Sequence, residues 1–353
     1  MTADTRERLR RGVGVALLAL GGLGLALVGA ELAARVFWEP FSPSHPPVPE
    51  AYRDLPDLRT AGELSRPNLR ALNAGALFET NSAGFRGRER ARPKPAGVFR
   101  IALIGDSLAM GWGVAEPDTY AARVEAALSQ RAGAGSVEVL NFGLAGLDAV
   151  GAVSRFETLA LGFEPDLAVY GFTLNDLENE HYRHSAADLG AIARVLLTEP
   201  SYLWRVLAPR IGALREVLFA PPGTVLHELD DNWFHNDAAW QTALGALDRL
   251  AAAASQRRIC AVLLIHPQLH YLNVLHPYHR HYAAIAKAAE ARGFFVVRPI
   301  GDFLGRKDRT LWVAPDDPHP GPEAHALLAA RLVRELEALP ASCRVPGPAP
   351  ARG

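Results

Sequence analysis

Cysteine is almost absent: two residues in 353, Cys260 and Cys343. The first lies in the apolar run ICAVLLI and reads as a small buried hydrophobe. The second lies in a Pro-rich tail, so neither a disulfide framework nor a zinc site is expected. Net charge is as scarce, −1 over the whole chain, which gives no reason to expect nucleic acid or another polyanion as a partner. Aromatic residues interleaved with basic ones, the pattern of single-strand binders, are missing as well. There is no P-loop and no G-x-S-x-G elbow, which argues against phosphate cradling and against the α/β-hydrolase type of nucleophile turn. The stretch GLAGLDAVG has glycines reminiscent of a dinucleotide loop. It lacks the tight first G-x-G and an acidic residue on the following strand. No internal repeat is found, and no cofactor is expected.

What is present describes a globular protein, with 49% apolar and 21% charged residues and enough length for one large domain or two ordinary ones. One apolar run is exceptional. GVGVALLALGGLGLALVGA, residues 12–30, has no charge and follows the basic RERLRR. About 19 residues just spans hydrocarbon as a helix, and arginine ahead of it sets the N-terminus in the cytoplasm. ELAARVFW continues the helical pattern, with Trp38 at an interface, so residues 1–38 read as an uncleaved anchor. A cleaved signal peptide and a buried core helix are the other readings. The first two leave the remainder outside the cytoplasm: a single-pass protein of a bacterial-type inner membrane, or a secreted one if the segment is removed.

Residues 39–97 are rich in Pro, Arg and Asn and read as an extracytoplasmic linker. From residue 98 a strand–helix alternation begins. Strands are expected at FRIALI (99–104), VEVLNFG, DLAVYGF, ICAVLLIHP and FFVVRP, with helices between them and a last one at PEAHALLAARLVRELEAL. This pattern predicts a parallel sheet covered by helices on both faces. About 80 residues separate Asp176 from the fourth strand, more than one crossover helix needs, so an insertion is expected over residues 178–240, and a Pro-rich tail over 341–353.

Chemistry gathers where these strands end. GDSL places Ser107 after the first strand, NFG places Gly143 after the second, and ND places Asn175 after the third. APDDPHPGPEAH carries Asp316 and His319 ahead of the final helix. A serine hydroxyl needs a base, a neutral histidine supplies one, and a carboxylate fixes the tautomer of the histidine. Asp316 stands three residues before His319 and is the expected orienting carboxylate; Asp317 is the alternative. The N–H groups of Ser107 and Gly143 and the amide of Asn175 are expected donors to an oxyanion. Asp106 is read as holding its turn by hydrogen bonds and, beside the nucleophile, is also a candidate for the substrate cleft.

These four blocks, in this order over residues 98 to about 338, resemble the GDSL, or SGNH, hydrolase superfamily. The resemblance implies an α/β three-layer α/β/α flavodoxin-like fold with a five-stranded parallel sheet, and ester or acyl-group chemistry. It assigns the nucleophile to Ser107, the acid–base pair to Asp316 and His319, and the oxyanion donors to Gly143 and Asn175. The third block departs from the family in having Thr173 where glycine is usual. The anchored arrangement is similar to that of bacterial members acting on cell-envelope or exported glycans, so the expected substrate is an acyl ester or acylated glycan, with hydrolysis, acyl transfer to a glycan hydroxyl, or an inactive binding role as the three outcomes. Five histidines in IHPQLHYLNVLHPYHRHY suggest a metal only weakly, since carboxylate and cysteine companions are missing. The loop they form is expected to border the cleft, with His266 facing it.

Overall fold

A single uncharged stretch governs the N-terminal helix, and buried β-branched runs govern the sheet. The computed structural model describes residues 3–37, 49–177, 225–273, 276–314 and 317–346, with residues 211 and 214. The chain divides into two compact units, residues 1–42 with 182–221, and residues 43–181 with 222–353. In the first unit, helix α1 (Ala3–Phe37) contains a segment, Arg11–Ala33, long and apolar enough to cross a membrane. Trp38 and most of the expected insertion, residues 178–210 and 215–224, lie outside the described residues.

The second unit begins with a surprise for the linker reading. Residues 49–97 carry a short helix α2 (Ala61–Leu64) and an antiparallel hairpin, β1 (Arg70–Asn73) with β2 (Ala76–Glu79). Leu58, Leu64, Ala71 and Phe78 are buried against Met110, Leu144 and Ala145 of the main fold. Beyond the hairpin, Arg86 is buried and its guanidinium donates to the carbonyls of Met110, Gly111 and Val114 and to Glu116. Far from an open spacer, this segment is part of the folded unit.

The sheet follows, in chain order: β3 (Phe99–Gly105), helices α3 (Ser107–Met110) and α4 (Tyr120–Ala132), β4 (Val137–Asn141), α5 (Ala149–Thr158), β5 (Leu167–Phe172), α6 (Val225–Phe234), α7 (Asp237–Gln256), β6 (Cys260–Ile265), α8 (His279–Glu290) and β7 (Phe295–Val297). A short α9 (Ile300–Phe303), a hairpin of β8 (Trp312–Ala314) and β9 (Asp317–Pro320), and α10 (Pro322–Ala338) complete it. The five strands β3–β7 are all parallel, in the order β4-β3-β5-β6-β7. That is the flavodoxin-like order, in which ligands bind beyond the carboxyl ends of the strands beside the first strand.

Both sheet faces are buried, which is why these strands are near-continuous apolar runs and do not alternate. Ile101, Leu103, Val137, Val139, Leu167 and Val169 meet Val124 and Leu128 of α4 and Leu328, Leu332 and Leu336 of α10. Each such side chain contributes about 1.5–3 kcal/mol by leaving water. On this side too the cysteine reading is corrected: Cys260, at the start of β6, is disulfide-bonded to Cys343, 83 residues later. Helix α10 runs back along the sheet and returns the tail to the point where β6 begins, so the two Cα atoms stand 5.6 Å apart.

Candidate active site

The turn after β3 is built by its glycine. Gly105 has φ +146°, and a Cβ there would lie 2.5 Å from the carbonyl oxygen of Gly171 on the neighbouring strand. Only glycine lets the chain leave the sheet at that point. Asp106 then caps α3, its Oδ1 accepting the Leu108 N–H at 2.9 Å, and half-buried Ser107 opens the helix.

The β8–β9 hairpin brings the imidazole. Residues two apart on a strand share a face, so Asp317 and His319 of β9 point the same way. Asp317 Oδ1 lies 2.5 Å from His319 Nδ1 and also accepts the His319 backbone N–H at 3.1 Å. His319 Nε2 lies 3.0 Å from Ser107 Oγ. The chain continues outward: Trp112 Nε1 donates to Asp317 Oδ2 at 2.9 Å, and the indole stacks on the His319 ring with centroids 5.2 Å apart. Burial alone would raise the Asp317 carboxyl, but the hydrogen bonds and charge of His319, helped by Trp112, outweigh it and hold it at about 2. An ionised carboxylate only accepts, so His319 Nδ1 donates, and when the imidazole is neutral Nε2 offers its lone pair to the serine hydroxyl.

The carboxylate paired with His319 is thus Asp317; Asp316, the expected partner, lies outside the described residues. The reason is strand phase. The expectation used the Asp-x-x-His spacing of a turn, whereas β9 begins at Asp317 and aligns positions two apart. Gly143 also differs from expectation. Its N–H donates to Asn141 Oδ1 at 3.0 Å, and a Cβ on it would fall 2.5 Å from the backbone nitrogen of Met110. Its smallness serves the close approach of this loop to helix α3. On the same loop Gly146 is exposed with φ +79°, and its N–H donates to none of the described residues. Asn175 is exposed just beyond β5, in the turn Leu174–Leu177.

His266 does not border the cleft. Its backbone N–H extends the ladder to Phe172, and its side chain is buried with Nε2 3.2 Å from the Tyr120 hydroxyl. Burial pushes this imidazole down to about 3. Asp106 is likewise buried, its second oxygen facing Thr173 Oγ1 at 3.1 Å. Two residues that sequence reasoning missed hold the site. Trp112 is one, and an indole between two glycines in MGWGV, five residues past the serine, was the available signal. Trp233 of α6 is the other: it donates to the Leu174 carbonyl at 2.9 Å and braces the turn that bears Asn175. Among the described residues, no group of His, Cys, Asp and Glu side chains is arranged to hold a metal ion.

A family model described as the GDSL-like Lipase/Acylhydrolase family matches residues 103–327. No curated protein matches the chain. Among solved structures the chain is similar to TesA, at 15% identity over 68% of this chain and 98% of that one, with a TM-score of 0.43. It is also similar to a two-domain esterase active on acetylated mannans, at 17% identity over 72% of this chain and 54% of that one, TM-score 0.43. A third is a catalytic mutant of Axe2, an acetylxylan esterase from Geobacillus stearothermophilus, at 16% identity over 67% and 93%, TM-score 0.42.

Proposed function

The chain belongs to the GDSL-like lipase/acylhydrolase family, and from that membership we propose that it is a membrane-anchored serine esterase in which Ser107, His319 and Asp317 act together. One observation carries the reading: the hydroxyl, the imidazole and the carboxylate form a continuous hydrogen-bonded series with Nε2 3.0 Å from Oγ. Ser107 Oγ attacks the ester carbonyl carbon, and His319 Nε2 takes the hydroxyl proton as the oxygen–carbon bond forms. Collapse of the tetrahedral intermediate breaks the bond to the alcohol, which leaves with the proton from His319. Water then repeats the sequence on the acyl-enzyme and restores Ser107. Asp317 steadies the imidazolium formed in each half.

The oxyanion needs donors aimed at it. The Ser107 N–H, in the first turn of α3 and without a helical acceptor, and the exposed Asn175 amide fill that role. Since the Gly143 N–H is spent on Asn141, the loop donor is the Gly146 N–H. The expected acyl group is short, such as acetyl, carried by an envelope or exported glycan. Placement outside the cytoplasm rests on the span Arg11–Ala33 behind a basic N-terminus and on the Cys260–Cys343 bond, which suits an oxidising compartment.

The test offers p-nitrophenyl acetate and longer-chain esters to the wild type and to Ser107→Ala. Release from short chains that vanishes in the variant supports the assignment, and equal rates from both defeat it. Acetylated and unacetylated glycans offered together distinguish hydrolysis from transfer to a sugar hydroxyl.

A further inference from the structure

Beneath the nucleophile turn lie two carboxylates that the reaction does not use. Asp106 and Asp176 are buried beyond the carboxyl ends of neighbouring strands β3 and β5, and one hydroxyl stands between them. Thr173 Oγ1 is 3.1 Å from Asp106 Oδ2 and 3.1 Å from Asp176 Oδ1. The remaining oxygens have donors of their own. Asp106 Oδ1 accepts from Leu108 N–H at 2.9 Å, and Asp176 Oδ2 accepts from the Tyr170 hydroxyl at 2.8 Å and from Thr173 N–H at 2.9 Å.

Counting protons decides the state of the pair. A threonine hydroxyl has one proton to give. With both carboxyls ionised, either Asp106 Oδ2 or Asp176 Oδ1 would meet a hydroxyl lone pair in place of its proton, beside a second buried anion. One additional proton removes both conflicts. Asp176 Oδ1–H donates to Thr173 Oγ1, and the Thr173 hydroxyl donates to Asp106 Oδ2. We propose that Asp106 and Asp176 retain one proton between them through Thr173, and that this Asp176–Thr173–Asp106 series is a positioning device fastening the nucleophile turn to the turn that bears Asn175.

The surroundings agree. Burial raises both carboxyls, Asp176 the more so because the charge of Asp106 adds to it, while the Leu108 N–H and then His319 of β9 pull Asp106 back toward ionisation. The other titratable groups facing the pair are Tyr170 of β5 and Tyr120 of α4, both pushed well up by burial and then by Asp106 or Asp176; Asp148, which caps α5, acts on Tyr170. None of these supplies a positive charge to balance a second carboxylate. The extra proton also keeps a second anion from opposing the negative charge that develops beside Asn175. It explains a side chain where the family usually has none: glycine at position 173 would leave the two carboxyls without their link.

This inference rests on the esterase reading only for its kinetic consequence, so its test has a readout independent of activity. Infrared spectra of the full chain in detergent micelles, at neutral pH, should contain the carbonyl band of a protonated carboxyl. Asp176→Asn should abolish that band, with the melting temperature kept, since an amide offers an N–H to Thr173 and an oxygen to Tyr170 in the same places. Asp248→Asn, on the exposed face of α7, should leave the band intact. Thr173→Val should lower kcat about tenfold with KM unchanged, and Thr173→Ser should restore it. In the wild type kcat should fall at alkaline pH as the shared proton leaves, and Asp176→Asn should remove that fall. A spectrum in which Asp176→Asn loses no protonated-carboxyl band overturns the inference, as does an alkaline limb that the substitution does not move. Activity surviving in Ser107→Ala would overturn the nucleophile assignment and leave the infrared result standing.

Discussion

Asp317→Asn is the most informative single substitution, because two donors contest the side chain. In the wild type one carboxylate oxygen accepts from His319, through Nδ1 at 2.5 Å and the backbone N–H at 3.1 Å, and the other accepts from Trp112 Nε1 at 2.9 Å. An amide has only one oxygen. Turned toward His319, it preserves the tautomer but sets its NH2 against the indole N–H. Turned toward Trp112, it donates to Nδ1, moves the imidazole proton to Nε2, and removes the base from Ser107. Each donor-to-donor contact costs about 1–3 kcal/mol, and the wrong tautomer costs about 10⁴ in kcat. The expected result is a loss of about 10²–10⁴ in kcat for p-nitrophenyl acetate, with a lowered melting temperature. Trp112→Phe on that background takes away the competing donor, lets the amide oxygen return to His319, and should recover at least about tenfold. Trp112→Phe alone should lose activity, so recovery in the double variant is a change of sign that additive effects do not produce. Asp316→Asn serves as the control and should stay near the wild-type rate. The reasoning is refuted if Asp316→Asn falls as far as Asp317→Asn, or if the double variant is no better than Asp317→Asn.

Two further outcomes concern stability. Cys343→Ser, or reduction of the wild type, opens a loop of 83 residues and should cost about 2–4 kcal/mol, read as a lowered melting temperature that a reductant does not lower again in the variant. Acid should destabilise the fold well before the carboxylates titrate. His266 is held at about 3, His276 and His281 at about 4, and His325 well below its ordinary value, chiefly by burial. The unfolded chain binds protons at these sites below about pH 6.5 while the native one does not. Stability therefore falls as pH drops from there toward 4, and a melting temperature level between pH 7 and 5 would contradict the neutral burial of these rings.

How much of this could be read before folding depends on the range of the interaction behind each feature. The five strands were legible because a parallel sheet buried on both faces needs unbroken apolar runs, and 99–104 or 167–172 can hardly serve otherwise. Ser107 and His319 were legible because each stands next to a local break, Gly105 in one case and a proline-rich hairpin in the other. Their companions depend on geometry that composition does not encode. Asp316 and Asp317 are chemically identical neighbours, and only the strand phase of β9 separates them; PDDPHP gives little β signal from which to read that phase. Gly143 looks like an open donor until the side chain of Asn141, two residues back, is seen to occupy its N–H. His266 ends an apolar strand near four other histidines, and only its partner Tyr120, 146 residues away, shows that it points inward. The same holds for Cys260 and Cys343, whose pairing requires α10 to run back along the sheet, and for Arg86, whose three carbonyl acceptors lie 24 to 28 residues ahead. In each case the missing information is a contact between segments distant in sequence. Such contacts convert a list of plausible residues into one hydroxyl aligned with one base: Arg86 grips the loop after α3, that loop presents Trp112, Trp112 holds Asp317, and Asp317 orients the ring that faces Ser107.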